Sequence, residues 1–139
     1  MRVVVDTNVL VSALLSPTGT PARILEWAIN GDFRLCLSAG ILAEYTEVLS
    51  RPAFGFDPHR VEVILQWMER QADLVTPSLT ACDLPDPDDA IFVQTSITAG
   101  AHYLVTGNLK HFPAARCHGV PVVSPRQFIQ ILTGQDAAR

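Results

Sequence analysis

The stretch that decides the fold is Arg2-Val3-Val4-Val5-Asp6-Thr7-Asn8-Val9-Leu10-Val11, at the start of the chain. Its three consecutive valines are typical of a short strand that is buried on both faces of a sheet. The apolar run then ends at the polar triplet Asp6-Thr7-Asn8. A carboxylate is costly to bury there unless a positive group meets it, and open α/β sheets bind ligands at that end of their strands. Asp6 is therefore either a cap for the next element or the first ligand of a site.

The composition of the 139 residues limits the class of protein. A hydrophobic fraction of 48% and a charged fraction of 17% exclude a disordered chain. This length predicts a single domain over residues 1–139 with a substantial core. The net charge of −4 is not typical of a protein that coats nucleic acid. It is compatible with an enzyme whose acidic cleft is neutralised by metal ions.

The cysteines and the apolar stretches indicate the compartment. The 3 cysteines are odd in number and have no CxxC spacing, which argues against a disulfide framework and against a zinc site. They fit a reducing environment, so we expect a cytoplasmic protein. No apolar stretch is long enough to span a membrane, and the N-terminal segment lacks the features of a signal peptide. We expect no membrane partner.

Strand and helix patterns alternate along the chain. Strands are predicted at residues 3–5, 33–37, 73–76, 103–105 and 120–123. Helices are predicted at residues 9–15, 20–30, 40–50, 86–100 and 125–132, with a further helix that begins at Asp57-Pro58. Strands separated by helices of this length indicate an α/β fold with a parallel sheet. Right-handed crossovers then bring the carboxyl ends of the strands to one edge, which would collect Asp6, Ser38, the 86–89 segment and Asn108.

Glu44 is the second acidic residue of interest. The helix predicted at 40–50 has one apolar stripe, formed by Ile41, Leu42, Tyr45, Val48 and Leu49. Glu44 borders this stripe, whereas Glu47 points away from it as a surface glutamate does. Glu44 is either a rim residue that extends to solvent or an acid that reaches Asp6.

The segment Asp86-Pro87-Asp88-Asp89 also has two interpretations. An aspartate followed by proline and further acids is the usual start of a helix. Asp89, however, shares a helical face with the small residues Ser96 and Gly100, so we expect it to point inward and Asp88 to lie off that face. Asp89 is then a candidate third carboxylate.

Thr106-Gly107-Asn108 follows the fourth predicted strand. Glycine and asparagine both tolerate left-handed backbone, so the triplet is either a simple turn or part of the site. In the second case Asn108 lies at the rim of the acidic pocket and Thr106 donates its hydroxyl to a carboxylate. His111 is interpreted as a surface or turn histidine, with contact to a phosphate as the alternative.

A convergence of Asp6, Glu44 and Asp89 would specify a hard cation, Mg²⁺ or Mn²⁺, because neither cysteine nor a histidine cluster accompanies them. Water on such an ion is a nucleophile near neutral pH, and the ion can stabilise the oxygens of a phosphodiester undergoing attack. Asp6 would be a direct ligand, with Glu44 and Asp89 as further ligands or water holders. Three neutral side chains would orient them: Thr7, Asn8 and Thr106.

These motifs resemble the PIN domain family, and in particular VapC-like toxins of toxin–antitoxin systems. The matching segments are Val4-Val5-Asp6-Thr7-Asn8-Val9-Leu10-Val11, Ser38-Ala-Gly-Ile-Leu-Ala-Glu44, Asp86-Pro87-Asp88-Asp89-Ala90-Ile91-Phe92 and Ala101-His-Tyr-Leu-Val-Thr106-Gly-Asn108. They occur in the order and at the spacing of the family, over essentially the whole chain.

The resemblance implies a three-layer α/β/α sandwich with a short, mostly parallel central sheet. It also implies metal-dependent endoribonuclease activity, a homodimer, an RNA substrate and an antitoxin partner. Residue by residue, it assigns the first acid to Asp6, the second to Glu44 and the third to Asp89, with Asp86 or Asp88 as the less favoured third acid. Many relatives carry an aspartate at the position of Asn108, which can ligate through its carbonyl oxygen but supplies no charge.

Two other functions compete with a nuclease. The asparagine at position 108 is compatible with a non-catalytic module that binds RNA or a partner protein. An aspartate after the first strand also suits a phosphoryl acceptor, but such an enzyme would want an aspartate at the position of Asn8. It would also want a late lysine, and Lys110 is the only lysine in the chain.

Overall fold

The computed structural model describes residues 1–134 of the chain; the last five positions of the predicted 1–139 domain lie outside the described residues. Five strands are present: β1 (Arg2–Val5), β2 (Arg34–Leu37), β3 (Asp73–Leu74), β4 (Tyr103–Val105) and β5 (Val122–Val123). The described helices are α1 (Thr7–Leu15), α2 (Thr20–Ile29), α3 (Ala39–Leu49), α4 (Pro58–Gln71), α5 (Ala90–Ala99) and α6 (Pro125–Leu132). Within this part of the chain, no helix combines the length and apolar character needed to cross a bilayer.

The strands form one sheet in the order β3-β2-β1-β4-β5, and every pair is parallel. Strand β1, with its three valines, lies in the centre, where Val3 pairs with Leu35 of β2 and with Tyr103 of β4. Val3 and Val4 are fully buried, as expected for a central strand covered on both faces. Because all strands run the same way, their carboxyl ends lie along one edge.

Helices cover both faces of this sheet. Alternate residues of the strands, including Val5 and Leu35, face α1 and α2, while α5 packs against β1, β2 and β4. Helix α6 adds Phe128, whose ring packs edge-on against Phe33 with centroids 5.1 Å apart. The prediction of a three-layer α/β/α sandwich is confirmed, and the described sheet is entirely parallel.

Several element boundaries differ from those predicted. Helix α1 begins at Thr7 rather than at Val9, and α2 ends at Ile29 rather than at residue 30. The strands predicted at 73–76 and 120–123 retain only two residues each, because edge strands pair on one side only. The helix predicted from residue 86 begins with a 3₁₀ turn, Pro87–Asp89, before α5. Three further 3₁₀ turns were not predicted: Pro52–Phe54, Leu109–His111 and Ala114–Arg116.

Three contacts fix α3 against the carboxyl ends of the strands. Ser38, directly after β2, caps the helix by accepting a hydrogen bond from the Ile41 amide at 3.2 Å. The buried Tyr45 hydroxyl donates to the backbone carbonyl of Val5, at the end of β1. A Cβ atom on Gly40 would lie 2.8 Å from Ile91, so α3 and α5 approach closely at this glycine. Glu44, beside Tyr45, is thereby held near Asp6.

Candidate active site

A cleft of about 380 Å³ opens beside the carboxyl end of β1. Four acidic side chains line it: Asp6, Glu44, Asp86 and Asp89. The other polar lining residues are Thr7, Asn8, Ser12 and His111, and the apolar ones are Val11, Val48 and Phe54. The parallel sheet therefore brings together acids that are up to 83 positions apart in the sequence.

Asp6 lies at the back of the cleft. Its backbone is extended and its amide donates to the Val105 carbonyl at 2.8 Å, which continues the pairing of β1 with β4. Its side chain is buried and accepts a hydrogen bond from the Thr106 hydroxyl at 2.8 Å. It makes no capping hydrogen bond to α1. Burial raises the pKa of Asp6 above its ordinary value, and the negative charge of Glu44 adds to the increase.

Glu44 reaches the cleft from α3. One of its carboxylate oxygens accepts a hydrogen bond from the buried Thr7 hydroxyl, so Thr7 orients this side chain directly. Glu47, one turn further along, is exposed and pairs with Arg51 at 2.8 Å. The two glutamates of α3 therefore have different surroundings, as their positions on the helical wheel predict.

The 86–89 segment contributes two of its three aspartates to the cleft. Asp86 is half-buried and caps the 3₁₀ turn by accepting a hydrogen bond from the Asp88 amide at 3.0 Å. Asp88 is exposed and does not line the cleft. Asp89 does line it, with 15% of its side chain exposed. Burial raises the pKa of Asp89 to about 6, and the negative charges of Asp6 and Asp86 contribute to the increase.

One carboxylate oxygen of Asp89 has no hydrogen-bond partner among the described residues. The atom is Oδ2, which is buried. His111 Nδ1 lies 3.2 Å from it, as in an ion pair, but is not oriented to donate a hydrogen bond. Such an unsatisfied buried acceptor is uncommon in folded proteins and indicates a place where a cation can bind.

The neutral residues predicted for the site differ in where they lie relative to the cleft. Thr106 is fully buried behind Asp6, and its hydroxyl also accepts a hydrogen bond from the Asn108 amide at 3.0 Å. Asn8 lines the cleft, and its side chain accepts a hydrogen bond from the Gly107 amide at 3.0 Å. Asn108 is not one of the lining residues, and its backbone amide supports Thr106.

Sequence reasoning missed three residues of this region. His111 was interpreted as a surface or turn residue; it is on a 3₁₀ turn, but it faces Asp89 inside the cleft. Tyr45 was seen only as part of an apolar stripe, although its hydroxyl holds α3 to β1. Phe54 lines the cleft from a short turn that carries no periodic signal. The pair His111 and Asp89 could have been found only from the predicted edge of the sheet.

The residues present fit a hard divalent cation that is held mainly through water. Within residues 1–134, no group of three or more His, Cys, Asp or Glu side chains is arranged to hold a metal ion. The assignment of Asp6 as a direct ligand, with Glu44 and Asp89 as further ligands or water holders, stays a prediction. Mg²⁺ is commonly held by one or two carboxylates, with waters and substrate phosphate completing its shell. The unpartnered oxygen of Asp89 and the crowded acids match that requirement.

Comparison with solved structures shows the fold. VapBC2 from Rickettsia felis, solved bound to a DNA fragment from its promoter, matches with a TM-score of 0.59, 17% identity and coverage of 89% of this chain and 98% of that chain. VapBC-1 from nontypeable Haemophilus influenzae matches with a TM-score of 0.58, 15% identity and coverage of 91% and 99%. FitAcB from Neisseria gonorrhoeae has a TM-score of 0.52, 19% identity and coverage of 89% and 98%.

Comparison of the sequence shows the family. An uncharacterized protein of Methanocaldococcus jannaschii is 25% identical over 142 residues, which cover 94% of this chain and 90% of that protein. The sequence profile of the PIN domain, a family of nucleases, matches residues 2–110, which include β1 to β4 and every acid of the cleft. With most of its length matched in this way, the chain belongs to the PIN domain family.

Proposed function

We propose that this chain is a divalent-metal-dependent endoribonuclease and the toxin of a type II toxin–antitoxin pair. The observation that carries the proposal is the convergence of four carboxylates on one cleft without an arginine or lysine partner among the described residues. An enzyme that cuts a phosphodiester needs a cation at the reacting phosphate. A cleft of uncompensated acids on a nuclease fold supplies a place for it.

In this proposal Asp6 and Asp89 hold the ion, Mg²⁺ or Mn²⁺, and Glu44 holds one of its waters. When bound, such an ion supplies a Lewis acid and activates water for hydrolysis. Glu44 is assigned the outer position because one of its oxygens is already engaged by Thr7. Asp86 caps its own turn and contributes negative charge rather than a ligand. Asp88 is left out of the site because it is exposed outside the cleft.

Three neutral residues keep the carboxylates in place. Thr106 fixes the rotamer of Asp6, and Thr7 fixes that of Glu44. Asn8 ties the loop after β4 to the start of α1 through the Gly107 amide. Residues that orient ligands in this way tune a metal site without touching the ion. In this proposal Asn108 acts through Thr106. The ion is held by Asp6 and Asp89, so the neutral side chain of Asn108 does not deprive it of a ligand.

The partner and the setting are part of the same proposal. Two of the similar solved structures are VapBC proteins, one of them with promoter DNA, and a third is FitAcB. By analogy we propose that this chain binds a cognate antitoxin, forms a homodimer and acts on RNA in the cytoplasm. A small reading frame beside its gene, whose product co-purifies with the chain, would support the antitoxin assignment.

The test is cleavage of RNA by the purified protein. We expect cleavage with Mn²⁺ or Mg²⁺, none with EDTA, and none by Asp6→Asn, which keeps the shape of the side chain but removes its charge. The matched control is Asp83→Asn, because Asp83 is 92% exposed and does not line the cleft. Undiminished cleavage by Asp6→Asn would refute the assignment of the site.

A second candidate is a non-catalytic PIN module that binds RNA or a protein. The observations that favour it are the neutral Asn108 and the absence, in residues 1–134, of a three-ligand group that could hold an ion. It predicts a wild-type protein that binds RNA but leaves it uncut at every Mn²⁺ concentration. A heat-shift assay with Mn²⁺ gives an independent reading, since an ion that binds the native state raises its melting temperature.

A further inference from the structure

The cleft is lined by two chemically different sets of residues. Four are acids, whereas Val11, Val48 and Phe54 are apolar. A phosphate neutralised by a metal ion suits the acids but does not need the apolar residues. The rest of a nucleotide must nevertheless lie within a few ångströms of its phosphate, and the cleft volume of about 380 Å³ is in the range of small-ligand sites.

Contacts within its own segment position Phe54 in the lining of the cleft. It ends the 3₁₀ turn Pro52–Phe54, with its amide bonded to the Arg51 carbonyl at 3.1 Å. Gly55 follows in the left-handed region, at φ 64°, and reverses the chain. The ring of Phe54 is stacked on that of Phe56, with centroids 5.5 Å apart and planes 15° from parallel. One face of the Phe54 ring is therefore covered by protein.

The apolar cores of the protein do not use Phe54. Phe56 packs against the cluster that contains Leu14, Leu49 and Val61, but Phe54 belongs to neither core cluster within the described residues. Its ring is half-buried and contacts the cleft. A phenylalanine that lies beside an acidic cleft and belongs to neither core offers the face that Phe56 does not cover as an open aromatic surface.

We propose that Phe54 is a stacking platform for one unpaired base of the nucleic acid whose phosphate the acids of the cleft hold. This inference rests on the proposed function and adds a residue that contacts a base. In a duplex both faces of each base are already stacked, whereas in a single strand a base is free to stack on an aromatic side chain. The Phe54–Phe56 pair then extends into a stack of three rings, and Val11 and Val48 flank the base or its ribose.

Binding of two oligomers with the same phosphates tests the inference. One is a heptamer of uridines, and the other is the corresponding abasic heptamer; both are measured in Ca²⁺, which binds oxygen ligands. We expect the wild type to bind the uridine oligomer about tenfold more tightly than the abasic one. Phe54→Ala and Phe54→Leu should bind both oligomers equally, and Phe54→Trp should recover the preference. Leu79→Ala, at a residue 92% exposed and outside the cleft, should bind as the wild type does.

A spectroscopic reading distinguishes stacking from loss of folding. The indole of Phe54→Trp should be quenched by the uridine oligomer and not by the abasic one, after subtraction of the wild-type signal from Trp27 and Trp67. If Phe54→Leu keeps the preference, or the wild type has none while still cleaving RNA, the stacking inference is overturned and the nuclease stands. If the wild type binds neither oligomer and cleaves no RNA, the stacking inference and the proposed nuclease function are both overturned.

Discussion

The two ends of the same parallel sheet handle negative charge in opposite ways. At the amino-terminal end of β3, Asp73 is paired with two arginines, Arg34 at 2.7 Å and Arg2 at 2.9 Å. Arg2 in turn donates to the Ala99 carbonyl at 2.8 Å, so this network joins four elements, β1, β2, β3 and α5. At the carboxyl end, four acids face one cleft, and only His111 lies at ion-pair distance from any of them among residues 1–134.

The comparison separates charges that stabilise the fold from charges that oppose it. Asp73 and its two arginines have partners of opposite sign, whereas burial and the negative charges of neighbouring acids raise the pKa of Asp6 and that of Asp89 in the cleft. Unfavourable contacts such as these buried, mutually repelling carboxylates persist in proteins where function requires them and the rest of the fold compensates. The predictions below contrast Asp89 of the cleft with Asp73 of the arginine network.

The largest expected effect is on catalysis. Asp89→Asn should lower metal-dependent RNA cleavage by at least about a hundredfold, because it removes a proposed ligand of the ion. Asp73→Asn, at the other end of the sheet, should lower cleavage by less than about twofold. Initial rates in saturating Mn²⁺ measure both. Equal losses in the two variants would mean that the cleft has no special role.

The second expected effect is a gain in stability when the charge of Asp89 is removed. In EDTA at pH 7, Asp89→Asn should raise the free energy of unfolding by about 1–3 kcal/mol, since it removes a buried negative charge that neighbouring acids repel. Urea unfolding of the two proteins measures the difference. A less stable variant would contradict the description of the cleft as a source of repulsion.

The same repulsion predicts the pH dependence of the metal-free protein. The ordinary pKa of an aspartate is 3.8, and that of Asp89 in the folded protein is about 6. Between these values the unfolded chain loses its proton first, so the contribution of Asp89 to stability is present below about pH 4 and falls as the pH rises to about 6. Urea midpoints across this interval should fall more steeply in the wild type than in Asp89→Asn. Parallel curves would show that Asp89 titrates normally.

The smallest effect belongs to the arginine network. Asp73→Asn should lower the free energy of unfolding by about 1 kcal/mol, because ion pairs with partly exposed arginines contribute little. Arg34, for example, has 60% of its side chain exposed. The loss should shrink in high salt, which screens such pairs. A loss as large as a buried core truncation would show that Asp73 organises the edge of the sheet.

Much of the fold could be predicted from local patterns. The three valines before Asp6 identify the central strand, and Ser124-Pro125 identifies the start of α6, which has a capping box in the structure. These signals depend only on residues that are close together in the chain, so they can be recognised in a single sequence. The short edge strand β5 was predicted too long, because its end depends on pairing with β4 rather than on its own residues.

The cleft could be predicted only in part, for a related reason. Asp6, Glu44 and Asp89 have a local signal, a polar residue at a strand end or at the border of an apolar face. The roles of Tyr45 and Phe54 depend on residues that lie near them in the folded protein. Those residues are distant in the sequence, so the local sequence does not indicate the roles. The role of the Asn108 side chain stays a prediction; the structure shows its backbone amide donating to the Thr106 hydroxyl.

The hydrogen bond from Thr106 to Asp6 joins residues 100 positions apart. During synthesis the first strand leaves the ribosome early, but its partner β4 follows only after most of the chain has been made. Until β4 docks, Asp6 lacks both the neighbour that buries it and the hydroxyl that orients it. A nascent chain of this protein therefore cannot assemble its cleft, and the interval before docking is a period in which the cell holds the polypeptide without the finished site.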